Sequence, residues 1–277
     1  MELVHAIVLA VVQGLTEFLP VSSDGHLVLV PWILGWDDQG LAFDGAIHLG
    51  TLGAVVFFFR RELYGVGVGL VRGTTVNVGG TGGNDEISAR RLSVLIVLAL
   101  VPTALIGLAL KSRVEGPLRT PEWAAAFLIV TAGLLVAGEM LGKRSRGLSA
   151  AGPKDGLLMG VAQGLAVFPG LSRSGSTIAM GMARGLTREA AGRLSFLMAV
   201  PAIAGAGVLL VADLASADDV AHPGWGVVIV GVVTAFVTGM AALRLLMWLL
   251  RRGTLWPFAA YCLIVGVAVL IARAVGA

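Results

Sequence analysis

Charged residues are scarce in this sequence. Asp, Glu, Lys and Arg make up 13% of its 277 residues, whereas typical soluble domains carry about 25%. Hydrophobic residues make up 57%, and the mean hydropathy is +0.90. This composition excludes an ordinary soluble domain and predicts an integral membrane protein. The length suits one polytopic membrane domain over residues 1–277, with no separate soluble domain.

Cysteine is almost absent too. Cys262 is the one cysteine and lies in an apolar run, so the sequence offers neither a disulfide framework nor a thiol cluster for a metal. The net charge of +3 does not indicate a nucleic-acid surface, because the basic residues are spread over many short loops. We therefore expect membrane lipids rather than nucleic acid as surroundings, and we use the basic residues to orient the chain.

The polar groups of QGLTEFLPVSSDGH, residues 13–26, interrupt an otherwise apolar run, and a second stretch resembles it 150 positions later. Six positions are identical in the two stretches: Gln13 and Gln163, Gly14 and Gly164, Leu15 and Leu165, Phe18 and Phe168, Ser22 and Ser172, Gly25 and Gly175. The chain is therefore predicted to contain two related halves, about 1–150 and 151–277. Interrupted hydrophobic segments at matching places in two halves indicate a binding site near the membrane centre.

Six apolar segments are long enough to cross a membrane, since a span needs about 20 residues. They cover residues 42–59, 92–110, 123–141, 194–212, 225–243 and 255–272. Between the first two, TTVNVGGTGGNDE, residues 74–86, is rich in Gly, Asn and Thr and is predicted to be a flexible loop.

Four apolar segments are too short to span: 4–19 and 27–36 in the first half, 157–168 and 176–186 in the second. Each pair is predicted to form a re-entrant helical hairpin whose broken backbone lines a polar cavity. Three spans separate the two hairpins, so the hairpins enter from opposite sides and the halves form an inverted repeat. The fold class is thus all-α, with six spans and two re-entrant hairpins, and the hairpin tips can meet.

Lys and Arg are distributed asymmetrically on this topology. Of the 20 basic residues, 15 fall on one side, four fall on the side of both termini, and Arg173 lies in the second tip. Positive residues concentrate on the cytoplasmic side. We therefore expect both termini, and the opening of the first hairpin, on the outer face of the plasma membrane.

The first tip carries groups suited to acid–base and anion chemistry. Gln13 and Glu17 are four residues apart and share one helical face. Ser22, Ser23 and Asp24 precede a half-helix, where such residues cap the helix and its backbone N–H groups attract anions, and His26 follows within a turn. Simple helix capping is the alternative interpretation, but it does not require the adjacent Glu and His.

The second tip, PGLSRSGST, places Arg173 between Ser172 and Ser174, with Thr177 beyond. A guanidinium near the membrane centre needs an anion, and its planar fork suits paired phosphate or carboxylate oxygens. A purely structural ion pair with Glu17 is one possibility. The surplus of hydroxyl groups around the arginine favours a phosphorylated ligand instead.

The two stretches resemble the signature motifs of the undecaprenyl-diphosphate phosphatase family, the bacitracin-resistance membrane phosphatases: a Glu-or-Gln-x-x-x-Glu motif paired with PGxSRSxxT. The resemblance extends along nearly the whole chain. It implies hydrolysis of a C55 isoprenyl diphosphate on the outer face, which recycles the lipid carrier of envelope polymers, and a requirement for Mg²⁺ or Ca²⁺. Asp24 departs from the pattern, since the family more often has a small hydroxyl residue or glycine there.

Carried over onto this sequence, the resemblance gives catalytic and supporting positions. Its catalytic positions are Glu17, Ser23, His26 and Arg173. Its substrate-binding positions are Gln13, Ser22, Ser172, Ser174 and Thr177. Ser23 is the expected nucleophile, activated by His26, with Glu17 orienting that histidine or helping to hold the cation.

Two alternatives stay open at this point. His26 is a second candidate for the nucleophile or for the acid that protonates the leaving group. A polyprenyl-phosphate flippase would need the same anion site and is the competing function, because secondary transporters are also built from inverted repeats with broken helices. A non-catalytic lipid-binding scaffold is a weaker third class. The grouping of Ser, His and Glu favours the enzyme, and oligomeric state is not encoded in these patterns.

Overall fold

A computed structural model describes residues 2–79, 85–114, 116–215 and 224–276, and these ranges are almost entirely helical. In chain order the elements are α1 (Leu3–Phe18), α2 (Ser23–Leu34), α3 (Leu41–Phe58), α4 (Arg60–Arg72), β1 (Thr75–Asn77), β2 (Glu86–Ser88), α5 (Ala89–Val114), α6 (Pro121–Leu141), α7 (Pro153–Leu165), α8 (Arg173–Ala183), α9 (Arg188–Ala215), α10 (Trp225–Arg252) and α11 (Trp256–Ala274).

Within these described ranges, six helices are long and apolar enough to cross a membrane: α3, α5, α6, α9, α10 and α11. They coincide with the six predicted spans, so the prediction of an all-α membrane protein with six spans is confirmed. Helix α9 begins at Arg188, earlier than the predicted start at 194. The charged residues in the first turns of α9 are paired: Arg193 contacts Glu62 at 2.9 Å and Glu189 at 3.3 Å.

The four short segments form α1, α2, α7 and α8, with 16, 12, 13 and 11 residues respectively. At a rise of about 1.5 Å per residue, the longest of them reaches only about 24 Å, less than the roughly 30 Å of a bilayer core. Each pair is joined by a short break at residues 19–22 and 166–172. The helices of the two predicted hairpins are therefore present, and their re-entrant placement in a membrane stays a prediction.

The prediction of a flexible loop over residues 74–86 is wrong at both ends of that segment. Strands β1 and β2 pair as an antiparallel ribbon, with Val76 opposite Ile87. Both side chains are buried, as is Val78, because the ribbon packs its apolar residues into the main core beside α4. Residues 80–84 lie outside the described residues. Alternating valines thus outweighed the glycine content that suggested disorder.

The two helix breaks meet in the interior, which brings the halves of the chain together. The Gly170 N–H donates to Ser22 Oγ at 3.1 Å, and Ser174 Oγ donates to the Leu19 carbonyl at 3.3 Å. A side chain at Gly25 would come within 2.8 Å of the Gly170 Cα. Gly170 itself has φ +95°, so glycine at both positions permits this approach.

Candidate active site

Glu17, near the end of α1, is the centre of the polar cluster at the meeting point. Its Oε2 accepts hydrogen bonds from Ser23 Oγ at 2.6 Å and Gln13 Nε2 at 3.1 Å. Its Oε1 accepts from Arg173 Nη2 at 2.8 Å. The Glu17 side chain is only 5% exposed. A buried carboxylate is thus held between a hydroxyl group and a guanidinium that come from α2 and α8.

Ser22 shapes the first tip. Its φ of +71° is unusual for a residue other than glycine and costs about 1–3 kcal/mol, which the surrounding structure must offset. Its hydroxyl caps α2 by accepting from the Gly25 N–H at 3.4 Å and also accepts from the Gly170 N–H at 3.1 Å. These contacts stabilise the backbone turn that places Ser23 beside Glu17.

The second tip is capped in the same way. Ser172 Oγ accepts from the Gly175 N–H at 3.0 Å, and the Ser172 N–H donates to Thr131 Oγ1 at 2.9 Å. Ser172 and Arg173 line the cavity described below. Thr177 is fully buried, and its hydroxyl lies 2.6 Å from Ser195 Oγ, so it fastens α8 to α9 rather than facing the cavity.

Both ring nitrogens of His26 contact groups other than Ser23, the hydroxyl that the sequence prediction has His26 activate. His26 Nδ1 lies 2.7 Å from the Ser22 carbonyl oxygen, and Nε2 lies 2.8 Å from the Tyr261 hydroxyl. The carbonyl only accepts, so Nδ1 carries the proton and Nε2 of the neutral ring accepts from Tyr261. Ser23 faces Glu17, whereas the His26 ring stacks on Tyr261 of α11. His26 therefore supports the Ser22 turn.

This geometry gives a prediction for His26→Ala. The variant should lose about 1–3 kcal/mol of stability, because the Ser22 carbonyl loses its 2.7 Å imidazole contact and keeps only the backbone N–H of residue 26 at 3.3 Å, while the Tyr261 hydroxyl loses its imidazole partner. The factor by which activity falls should be the same at every pH, since the Glu17–Ser23 pair remains. Thermal unfolding and activity across pH test this prediction. Tyr261→Phe should lower stability and activity too, but by less. A changed pH profile with unchanged stability would instead return His26 to the acid–base role.

One residue that the site predictions left out lies beside Glu17. His48, on α3, has Nε2 3.6 Å from Glu17 Oε2 and 3.4 Å from Asp24 Oδ1. Its Nδ1 lies 2.7 Å from the Asp44 carbonyl oxygen. The sequence did hold a signal, because a histidine and an aspartate at the start of an apolar span require a polar setting.

A cavity of about 760 Å³ opens at this cluster. Its polar end is lined by Glu17, Ser22, Ser23, Asp24, His48, Ser172 and Arg173, and its walls come largely from apolar residues of α5 and α9. Gln13, His26, Ser174 and Thr177 are not among its lining residues. The predicted site residues thus divide into a group that faces the cavity and a group that supports it.

Arg119, in the loop between α5 and α6, lies at another part of the cavity wall. Burial alone would lower its pKa, but the ion pair of its Nη2 with Asp44 Oδ2, at 2.6 Å, contributes to a net rise in the Arg119 pKa. The pair connects this loop to α3. Arg119 is therefore a permanent positive charge in the cavity wall.

One guanidinium nitrogen of Arg173 is available for a further hydrogen bond. In the described part of the chain its buried Nη1 has no hydrogen-bond partner, although Nη2 is paired with Glu17. A buried guanidinium N–H without a partner is costly. An anion in the cavity would satisfy it, which makes the polar end of the cavity a candidate anion site.

Among the described residues, no group of three or more His, Cys, Asp and Glu side chains is arranged to hold a metal ion. Both oxygens of Glu17, the predicted possible ligand, already accept hydrogen bonds. Asp24, about half exposed on the cavity wall, is the carboxylate better placed to touch a cation. The residues therefore fit a cation that is shared with a ligand rather than one held by protein groups alone.

The fold and the site define a multi-pass membrane protein with a cavity whose polar end is a candidate anion site and contains a serine–glutamate pair. Residues 6–268 match the family model described as bacitracin resistance protein BacA, so the chain belongs to this family. It is 42% identical to the undecaprenyl-diphosphatase of Alcanivorax borkumensis, over 98% of both chains. It is 38% identical to that of Methanosphaera stadtmanae over 98% of both, and 41% identical to that of Desulfosudis oleivorans over 96% and 97%.

Proposed function

We propose that the chain hydrolyses undecaprenyl diphosphate to undecaprenyl phosphate and inorganic phosphate, and so recycles the lipid carrier for cell-envelope polymers. The observation that carries this proposal is the Ser23 hydroxyl, 2.6 Å from a Glu17 carboxylate that also pairs with Arg173. These groups lie at the polar end of a largely apolar cavity, which suits a lipid with a charged head. The names of the relatives agree with this substrate.

In the proposed first step, Ser23 Oγ attacks the terminal phosphorus of the diphosphate while Glu17 takes the hydroxyl proton. A bond forms between Ser23 Oγ and phosphorus, the anhydride P–O bond breaks, and undecaprenyl phosphate leaves with the bonding electrons. Glu17 replaces the predicted His26 as the base because it is the group in contact with Ser23. Arg173 neutralises charge on the transferred phosphoryl group, which is most of what such catalysis requires.

In the second step, water attacks the phosphoserine and Glu17 returns its proton to Ser23 Oγ as the P–O bond breaks. The proton lost by the water goes to the departing inorganic phosphate or to solvent, so the site returns to its starting state. A nucleophile beside one carboxylate that acts first as a base and then as an acid is sufficient for both steps.

Phosphate release by the purified protein in detergent tests the function. With undecaprenyl diphosphate as substrate, we expect equal amounts of inorganic phosphate and undecaprenyl phosphate. The competing flippase would move the lipid between leaflets and leave the diphosphate intact. A transporter does not need a nucleophile paired with a base, so the Glu17–Ser23 contact favours the phosphatase.

We propose a divalent cation, Mg²⁺ or Ca²⁺, as a companion of the substrate. Asp24, on the cavity wall, would contact it, and the substrate phosphates would supply the other oxygen ligands. When bound, the cation would neutralise phosphate charge. We expect phosphate release to stop in EDTA and to return with added Mg²⁺ or Ca²⁺. Full activity in EDTA would contradict the requirement, and isothermal titration of the cation with and without diphosphate would show whether the two bind together.

We also propose that the two halves form an inverted repeat, with the cavity and both termini on the outer face. The packing of the helices supports the repeat, because the same pattern of contacts occurs twice. Helix α1 packs on α10 and α10 on α3, and in the same way α7 packs on α5 and α5 on α9. The excess of basic residues on the other side supports the orientation. A cysteine introduced at Ser145 in a Cys262→Ala chain should react with an impermeant maleimide only after cell lysis. Labelling in intact cells would reverse the orientation.

A further inference from the structure

Two pairs of spans that correspond in the proposed repeat are packed differently. In each half two short helices precede three spans, so α3 corresponds to α9 and α5 to α10. Helices α3 and α10 are in close contact. A side chain at Gly50 of α3 would come within 2.4 Å of the Val232 carbonyl oxygen of α10, and Phe43, Ile47 and Ala235 share one buried cluster. This pair therefore leaves no room for a ligand at these positions.

The equivalent pair, α9 and α5, makes far less extensive contact. In the first part of each helix the side chains are buried in the main core, as Leu95 and Ala99 of α5 and Leu197 and Met198 of α9 show. Both helices leave this core further along their length. The two halves of the chain thus differ in whether these two spans stay together.

The later parts of α5 and α9 form the apolar walls of the cavity. Leu108 of α5 and Val208 and Leu209 of α9 line the cavity and are also exposed on the outside of the helix bundle. Among the described residues, no atom lies within 4 Å of a side-chain carbon added at Gly205. The cavity therefore opens sideways between these two helices, where a membrane protein faces lipid.

An interior proline marks the point where each of these helices leaves the core. Pro102 lies inside α5 and Pro201 inside α9, whereas the sequences of α3 and α10 contain no proline. A proline inside a helix removes one backbone hydrogen bond and bends the helix. The cavity-lining residues of the two helices lie within 100–114 and 201–210, beside and beyond these prolines. The sequence itself thus accounts for the separation of this one pair.

We infer that the gap between residues 103–111 of α5 and 202–210 of α9 is a side entrance through which the isoprenyl chain of the substrate passes from the bilayer into the cavity. We also infer that Gly205 is a specificity-determining residue, because it leaves room for that chain. The inference rests on the proposed function. It extends the function by assigning a place to the lipid chain and not only to the charged head.

The side entrance and the polar end belong to one cavity, which connects the two ends of the substrate. At the polar end, the buried Nη1 of Arg173 has no partner among the described residues and suits the diphosphate. The walls beyond it are apolar and suit a hydrocarbon chain. A chain of 55 carbons does not have to fit within about 760 Å³, because the gap lets its far end stay in the surrounding lipid.

The first test narrows the side entrance with Gly205→Leu. The variant should fold, since the added side chain points into open space and leucine favours a helix more than glycine does. For undecaprenyl diphosphate we expect kcat/KM to fall about tenfold or more, the size of effect that small changes of volume have in an apolar pocket. Inhibition by inorganic phosphate, which needs only the polar end, should keep its inhibition constant.

Gly133→Leu is the matched control. Gly133 lies in the span α6, an added side chain there also meets no atom within 4 Å among the described residues, and it is not a cavity-lining residue. Its kcat/KM should equal that of the unmodified protein. Thermal unfolding of both leucine variants shows whether each is folded.

A second test follows the chain directly, by maleimide labelling of Val208→Cys in a chain that also carries Cys262→Ala and Ser23→Ala. Undecaprenyl diphosphate should slow the labelling, because its chain would cover residue 208, whereas inorganic diphosphate should not. Val130→Cys in the same background is the control, since Val130 is exposed on α6 away from the cavity and should react equally with either compound present. This test decides the inference if Gly205→Leu does not fold.

Labelling of Val208→Cys that undecaprenyl diphosphate leaves unchanged would overturn the side entrance. Equal kcat/KM in Gly205→Leu and Gly133→Leu, or weaker phosphate inhibition in Gly205→Leu alone, would overturn the role of Gly205, the latter because the polar end itself would then be distorted. Failure of the proposed function gives a different result. The unmodified protein would release no phosphate from undecaprenyl diphosphate, while the labelling test would still report where the lipid chain binds.

Discussion

Ser23→Ala should lower phosphate release by about 10⁴-fold or more, because the variant lacks the proposed nucleophile. Diphosphate binding should persist, since Arg173 and the cavity walls are unchanged. Folding should persist too, because Ser23 contacts Glu17 at a helix break rather than packing in a span. Phosphate release under single-turnover conditions, with diphosphate binding measured on the same preparation, separates the loss of chemistry from loss of the site.

Two comparisons sharpen the Ser23 experiment. Ser149→Ala makes the same change in a short helical turn that is not among the cavity-lining residues and should leave activity unaltered. A double variant of Ser23→Ala with Glu17→Gln should be little worse than either single one, because the pair acts as a unit. Near-normal turnover in Ser23→Ala would remove serine from the nucleophile role and leave Glu17 to activate a water molecule directly.

Arg173→Lys should reduce phosphate release by about 100-fold or more, although it keeps the positive charge. Lysine has no planar fork, so it cannot pair with Glu17 through one nitrogen and reach a phosphate with the other. The buried Nη1 that Arg173 now holds without a partner among the described residues is the group that the lysine variant lacks. Phosphate release and diphosphate affinity should therefore fall together.

A purely structural Glu17–Arg173 pair predicts a different pattern. Replacing both charges, in Glu17→Gln with Arg173→Gln, would then give a neutral hydrogen-bonded pair with folding and activity kept, since an unpaired buried charge is the main cost of breaking such a pair. We expect a folded but inactive protein. Thermal stability and phosphate release, measured on the lysine and double variants together, decide the matter: activity in both would reject the phosphate contact.

The spans could be predicted from sequence because length and hydropathy are local properties. The same holds for the broken helices, since Pro20 and the polar residues after it interrupt an apolar run that is already too short. Glu17, Ser23 and Arg173 could be placed near one another from the repeated motif alone. The β1–β2 ribbon could not be predicted from the sequence, because its valines are stabilised by a core to which other helices contribute.

The roles of the two histidines required the tertiary structure. His26 is three residues from Ser23 in sequence, but its Nε2 contacts Tyr261, which is distant in the chain. His48 is far from either motif, and only the packing of α3 brings it to Glu17. Side-chain direction and contacts between distant helices are absent from the local pattern, so proximity in sequence pointed to His26 and gave no indication that His48 lies beside Glu17.

The hydrogen bond from the Gly170 N–H to Ser22 Oγ has a consequence for biogenesis. Glu17 and Ser23 are synthesised early, whereas Arg173 emerges only after the first half of the chain has entered the bilayer. Neither half contains a complete site. A ribosome-bound or truncated first half holds the proposed nucleophile, Ser23, but lacks the Arg173 guanidinium that would bind the phosphate. Hydrolytic activity would therefore be acquired in a single late event, when the two tips close on each other during assembly.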